Sequence, residues 1–562
     1  MKVISREMLE NWRSIRLVAY LALAALATTP RLSAQPTVTA VENAASNLAP
    51  DLPNAAIAQG AIMVIYGSGL GPANLAAAPA AFQSTTLSNT SVAVTVGGTT
   101  VNALMYYTSG GQVAALLPSN TPTGTGTITV TYNGQSSAKA PITVVANNLG
   151  VFTIDSSGAG PGIVTYPDYS LVSPLKAANC GGPNTTCGAA NPGDTLILWA
   201  TGLGPVSGND ASGAGSGQNM PNVPLTLWLG GVQAPVVYQG RSGCCVGEDQ
   251  IVFTVPNNVP IGCAVPLVAQ IGSQVSNTTE MPVANGSRTC PLVNPASATI
   301  GTQQIEQLIT AGPVTFTSAH IDHFADGNGV FEDDAKFQFL KSTGYVPGTQ
   351  PFFVSWIDDW PSGTCVVYNT NASNNVPFTG GSPLDAGSTY TVTGPKGSMT
   401  LPVNGAETAA FNMTGTFLVP GNYTFSGAGG ADIGPFSGSF VIPPAATLVS
   451  PMNNGAATRA NGLPVSWTEG SGVLKIRVSS CSDNSCDSGA AAVCNVPASA
   501  GTFTIPPYVM EALPASTAAG VVLSYYSTVS FTATGLNAGF LTIDGNDSGF
   551  GYGWGSGNFT LK

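Results

Sequence analysis

The chain has 562 residues, too many for one hydrophobic core, so three or four domains are expected. Only 8% of residues are charged while 43% are hydrophobic, which excludes a disordered chain. The formal charge of −12 argues against a nucleic-acid partner, because phosphate binding needs basic patches.

Residues 1–34 read as a secretory signal. Lys2, Arg6, Arg13 and Arg16 precede an apolar run, Leu17 to Ala27, that is too short to span a bilayer. Leu32-Ser33-Ala34 then offers a small-residue cleavage site; the rival reading is an uncleaved anchor. The segment holds five of the 16 basic and two of the 28 acidic residues, so its removal leaves 11 basic against 26 acidic, or −15. No later stretch is long and apolar enough to cross a membrane as a helix. A secreted or cell-surface location is therefore expected. All ten cysteines follow this segment, where disulfides are permitted.

Residues 35–146 and 147–290 are expected to be two copies of one module. GAIMVIYGSGLGP (Gly60–Pro72) matches GDTLILWATGLGP (Gly193–Pro205), and Val94–Gly98 matches Leu227–Gly231, both at an offset of 133. Gly111–Gly124 then matches Asp249–Gly262 at an offset of 138. Five extra residues thus fall around Arg241, Cys244 and Cys245, and this loop, present in one copy only, is a candidate binding site. Met63, Ile65, Leu196 and Leu198 lie in short apolar runs typical of buried strands. Gly97-Gly98, Gly230-Gly231 and Asn133-Gly134 have the form of two-residue hairpin turns. Gly67-x-Gly69-x-Gly71 has no Lys-Ser/Thr after it and no following helical pattern, so it is read as a turn and not a phosphate cradle. Within the second copy Cys180–Cys187 and Cys263–Cys290 are the expected disulfides. Short strands with turns every 8–12 residues or so point to an all-β sandwich.

The strand–Gly-x-Gly-Leu turn, the Val-x-Val-Gly-Gly hairpin and the Gln-Val/Ile…Pro segment resemble the IPT/TIG immunoglobulin-like domain. More closely, Glu42-Asn43-Ala44-Ala45-Ser46, Gly60–Pro72, Gly111–Pro118 and Gly240–Cys244 resemble the uncharacterised secreted Solibacter C-terminal domain family, over roughly residues 37–290. The resemblance implies immunoglobulin-type sandwiches and exported parent proteins, and it supplies no catalytic residues. Here the pair stands at the N-terminus rather than after a larger domain. The fold class expected is all-β: tandem immunoglobulin-like β-sandwich modules with at most one or two short helices.

Residues 291–443 and 444–562 are expected to form a third and a fourth β-rich module, divided at Pro443-Pro444. Ser297 to Thr310 suits a short amphipathic helix. Strand-like runs follow near Val314–Thr317, Phe352–Ile357, Thr364–Tyr368, Tyr390–Thr393, Ala409–Val419 and Pro435–Ile442. Pro464 to Trp467, Leu474 to Val478, Thr502 to Pro506 and Val521 to Thr534 supply strands of the last module, with a helical turn at Met510 to Leu513. The pairing of Cys244, Cys245, Cys365, Cys481, Cys486 and Cys494 stays open. Cys481, Cys486 and Cys494 lack the second ligand pair or nearby His that a zinc site needs.

Chemistry is sparse. The only histidines, His320 and His323, would share a face on a helix but point to opposite faces of a strand, and the preceding residues are strand-like. Asp326, Asn328, Glu332, Asp333 and Asp334 form an oxygen-rich stretch and are the candidate calcium ligands. The stretch departs from an EF-hand loop, with Val330 at an acceptor position and Phe337 at the twelfth. Asp358-Asp359 between Trp356 and Trp360 suggests sugar contact through the tryptophans. Adjacent strand carboxylates face opposite ways, however, and cannot act as a glycosidase pair. No nucleophile elbow is present. The expectation is a non-catalytic extracellular protein with no cofactor other than calcium. Its partner would be an extracellular protein or polysaccharide, with a hydrolase built on His320/His323 as the remaining alternative.

Overall fold

The computed structural model describes residues 35–79, 84–154, 156–173, 188–210, 218–243, 245–286, 288, 290, 314–325, 330–342, 360–369, 381–404, 408–414, 417–483, 485–537, 539–552 and 555–562. The expected signal segment, the Ser297–Thr310 helix, the Phe352–Ile357 strand and Cys180–Cys187 lie outside them. The fold is all-β, and among the described residues the α-helical content is one turn, Pro507–Met510. Short 3-10 turns occur at Arg459–Asn461 and Ala498–Ala500.

The first copy is a two-sheet sandwich. One sheet runs Thr37–Asn43, Ile62–Ser68, Gln112–Leu116, Leu104–Thr108 and Ala76–Ala77. The other centres on Ala140–Val145, Gly124–Tyr132 and Thr90–Val96. Thr90–Val96 alternates buried and half-buried residues, so Val92, Val94 and Val96 point into the core beside Met63, Ile65 and Val113. Ile62–Ile65 is buried on both faces. Its outer side is covered by the neighbouring copy, which explains the unbroken apolar run.

The second copy repeats the strand order. Gly150–Val151, Thr195–Thr201, Asp249–Thr254 and Val236–Arg241 form one sheet, and Thr279–Val283, Gly262–Ile271 and Leu225–Leu229 the other. Gly60–Pro72 and Gly193–Pro205 therefore supply the same strand and turn in each copy. Gly97-Gly98 and Gly230-Gly231 both have two successive positive φ values, near 57° and 82°, the conformation of a type I′ hairpin. At Gly67 an added Cβ would lie 1.8 Å from the Thr37 carbonyl oxygen, so this glycine admits a neighbouring strand.

The C-terminal half is organised differently. Among the described residues its largest sheet has 11 strands. Along its main path lie Thr364–Asn369, Gly489–Pro497, Val473–Cys481, Ser516–Phe531, Gly539–Phe550, Val314–Ala325, Phe331–Ser342 and Gly381–Pro383. Strands from both sides of Pro443-Pro444 thus share one sheet, so the expected division does not separate two sheets. Among the described residues the two sides join by parallel pairing of Val314–Ala325 with Gly539–Phe550 and by antiparallel pairing of Thr364–Asn369 with Gly489–Pro497. A disulfide between Cys365 and Cys494, register partners on adjacent strands, also crosses the join. Two smaller sheets cover one face. Thr389–Gly394, Gly397–Pro402, Gly421–Gly427 and Phe436–Ile442 bury Tyr390, Tyr423 and Phe425 against Phe337, Phe339 and Ile543. Thr447–Ser450, Leu463–Thr468 and Thr502–Ile505 bury Val465 and Trp467 against Ile476, Val478 and Leu523. The Pro507–Met510 turn docks on the second copy, where Tyr508 stacks on Trp228 at 4.8 Å and Val268 and Val275 join the same core.

Candidate functional site

The face of the large sheet opposite the two smaller sheets carries a row of polar side chains, of which Lys475 and Tyr526 are buried. Strands Val314–Ala325 and Phe331–Ser342 form a hairpin in which Asp322 pairs with Asp334 and His320 with Lys336. Asp322 also stands in register with Asp544 on its other side, and Asp544 with Tyr526. Strand alternation places all of these on one face. The His320 Nε2 lies 3.1 Å from an Asp334 oxygen and 3.7 Å from an Asp322 oxygen. Lys475, on the same face, reaches over the Tyr526 ring with Nζ 3.5 Å from its centre and 4.0 Å from Asp544. Burial, then the charges of Asp544 and Asp334, push the Asp322 carboxyl up to about 8 against the opposing pull of Lys475. Burial also lowers the His320 pKa, although Asp334 opposes this.

His323 lies on the opposite face, as its three-residue spacing on a strand demands. Its Nδ1 is 2.6 Å from Asp333, and its ring stacks on Phe331 at 4.8 Å. The second Asp333 oxygen accepts from the backbone N–H groups of Phe417 (2.7 Å) and Leu418 (3.0 Å). Burial would raise the Asp333 pKa. The His323 hydrogen bond and the two amides outweigh it and hold the carboxyl below its ordinary value. Fully buried Asp333 is a structural tie between the hairpin and the segment at Phe417.

The candidate calcium ligands do not form one set. Asp326 and Asn328 lie outside the described residues. Glu332 and Asp334 share a face, while Asp333 points the other way with both oxygens engaged. The stretch from Phe331 onward is strand, not loop. Trp356, Asp358 and Asp359 also lie outside the described residues. Trp360 is 3% exposed and packs against Tyr368, so its ring is not offered to a sugar. Sequence reasoning missed Lys475, Tyr526 and Asp544, because only strand pairing across some 150–220 residues brings them to the histidine.

Arg241, expected in an exposed binding loop, is buried between the two copies. Its guanidinium pairs with fully buried Asp249 and donates to the carbonyls of Gly204 (2.8 Å) and, in the first copy, Gly60 (2.9 Å). Asp249 in turn accepts from Leu203 N–H at 2.7 Å. Val246 packs on Leu104 and Leu116 of the first copy. The Thr201 hydroxyl accepts from Ile62 N–H and donates to the Gly247 carbonyl. The loop is therefore a docking element: Val246 packs on the first copy, and Arg241, paired with Asp249 inside its own copy, donates to a carbonyl of the other. Cys244 lies outside the described residues; Cys245 is disulfide-bonded. Cys263 is bonded to Cys290, and Cys481 to Cys486.

These features define a multi-module protein of immunoglobulin-like β-sandwiches. Residues 51–146 match the IPT/TIG domain. No curated protein matches the chain. Solved structures similar to it include a calcium-stabilised adhesin with which an Antarctic bacterium binds ice. That adhesin is 12% identical, with 91% of this chain and 99% of that one covered and a TM-score of 0.12. Domains 5–6 of the S-layer protein SbsC are 13% identical, covering 45% and 99%, with a TM-score of 0.16. SGBP-B from a xyloglucan utilisation locus of Bacteroides uniformis is 12% identical, covering 68% and 87%, with a TM-score of 0.17. At such scores these likenesses carry no argument about function. Among the described residues no helix is long and apolar enough to cross a membrane.

Proposed function

We propose that the chain is an exported, non-catalytic recognition or scaffold protein of the cell surface or surrounding medium. On this reading its first two modules are of the Solibacter C-terminal type. The supporting observation is the way the modules are joined. Arg241 binds carbonyls of both copies, and Trp228–Tyr508 stacking fixes the second copy to the C-terminal half. Buried joints of this kind hold loops and sheet faces at fixed relative positions, as a recognition surface or a load-bearing array requires. The expected partners are an extracellular protein or a polysaccharide. Burial of Trp360 leaves Trp356 as the aromatic on which a polysaccharide reading rests.

The test is fractionation of producing cells, followed by binding of the purified protein to isolated envelopes and to a glycan array, with and without calcium. Retention on envelopes or glycans supports the reading. Cytosolic recovery, or a hydrolytic activity abolished in the His320→Ala/His323→Ala double variant, would refute it.

A further inference from the structure

Three carboxylates, Asp334, Asp322 and Asp544, stand directly opposite one another on three adjacent strands. Like charges so placed repel, and a natural sheet that breaks a local pairing rule commonly does so at a functional site. An imidazole completes the group. The donor atoms of His320, Asp322 and Asp334 all lie within 4.8 Å of one another. Metal–ligand bonds of roughly 2.0–2.2 Å in a tetrahedral zinc site put neighbouring ligand atoms about 3.3 Å apart. The two distances from His320 Nε2, 3.1 and 3.7 Å, bracket that value.

We propose that His320, Asp322 and Asp334 form a site for a divalent first-row transition metal ion of the zinc class, with Asp544 as the adjacent carboxylate. One nitrogen and two oxygen donors suit zinc or cobalt. Calcium takes six to eight oxygens and has little use for imidazole. The three side chains are partly buried, with 16, 31 and 24% exposure. With three ligands from the protein, a four-coordinate ion would have one further coordination position. It would also bridge the two strands of the hairpin, Val314–Ala325 and Phe331–Ser342, near the end where the chain turns. His323 takes no part, since it faces the other way and is held by Asp333.

The experiment uses the full chain without a histidine tag, stripped with chelator, and titrated with zinc and with cobalt(II) by calorimetry and absorption. The result expected is one ion per chain and visible cobalt bands typical of four or five ligands. Affinity should fall at least tenfold in His320→Gln and in Asp334→Asn. His323→Gln, on the opposite face, should bind as the parent does. Thermal melts of stripped protein establish that each variant folds, and zinc should raise the melting temperature of the parent but not of His320→Gln. Three results would each overturn the site: no stoichiometric zinc binding, unchanged affinity in both ligand variants, or calcium binding as tightly as zinc in the same titration.

Discussion

The two N-terminal copies share their strand order but end one hairpin in different ways. In the first copy Thr108 and Gln112 are joined by a short turn, and the Gly110 carbonyl accepts from Leu70 N–H. In the second copy the equivalent amide, Leu203 N–H, is bound instead by the carboxylate of Asp249, and a longer loop begins at Arg241. A few added residues have thus turned a self-contained hairpin into a joint. The cost is a buried ion pair. Its benefit is geometric, because Arg241 donates to one carbonyl in each copy and so ties them together.

The sharpest way to break this comparison is Arg241→Ala. It leaves the Asp249 carboxylate buried and unpaired, so a loss of about 3–5 kcal/mol is expected in urea unfolding. Thr108→Ala, at the end of the corresponding hairpin strand of the first copy, should cost about 1 kcal/mol through its hydrogen bond to Thr90. Equal effects would show that the joint is unimportant. The glycine turns sharpen the same contrast. An added Cβ at Gly97 meets nothing within 4 Å, whereas at Gly230 it would lie 2.5 Å from the Pro260 ring. Gly97→Ala should therefore cost about 1–2 kcal/mol of backbone strain, and Gly230→Ala measurably more by the same denaturation assay. Val246→Ala removes apolar contact with Leu104 and Leu116, worth about 1.5 kcal/mol. It should increase limited proteolysis between the copies without unfolding either.

The smallest expected effect concerns pH. Burial raises the Glu42 carboxyl of the first copy to about 7. Because the folded value lies above the unfolded one, folding favours the protonated form. The associated stability is complete below about pH 4.5 and is lost as pH rises through 7. Glu42→Gln should abolish that slope and gain on the order of 1 kcal/mol at pH 8, allowing for solvent screening of a half-buried group. Thermal melts at pH 5 and pH 8 measure it.

What could be read in the sequence was what short-range physics controls. Gly97-Gly98 and Gly230-Gly231 announced hairpins because few other residues accept two positive φ values in succession. The spacing of His320 and His323 fixed their opposite faces once the segment was strand. Asp333 and Asp334 obey the same alternation, but grouping them as ligands of one ion passed over it. Arg241 was misplaced because a loop bearing Gly, Cys and Arg carries no local sign that another module will cover it. The shared sheet was invisible for a related reason. Pairing between Val314–Ala325 and Gly539–Phe550 depends on which edges meet, and period-two patterning does not say which strand is whose neighbour.

That parallel pairing has a consequence during synthesis. Val314–Ala325 leaves the ribosome more than 200 residues before the strand that will flank it. Until then one long edge has no partner and invites association between nascent chains. Export in a form kept open by a holding chaperone, with folding only after the last residues arrive, would spare the chain that hazard. By the same logic, loss of even the last 25 residues should cripple a strand near residue 320.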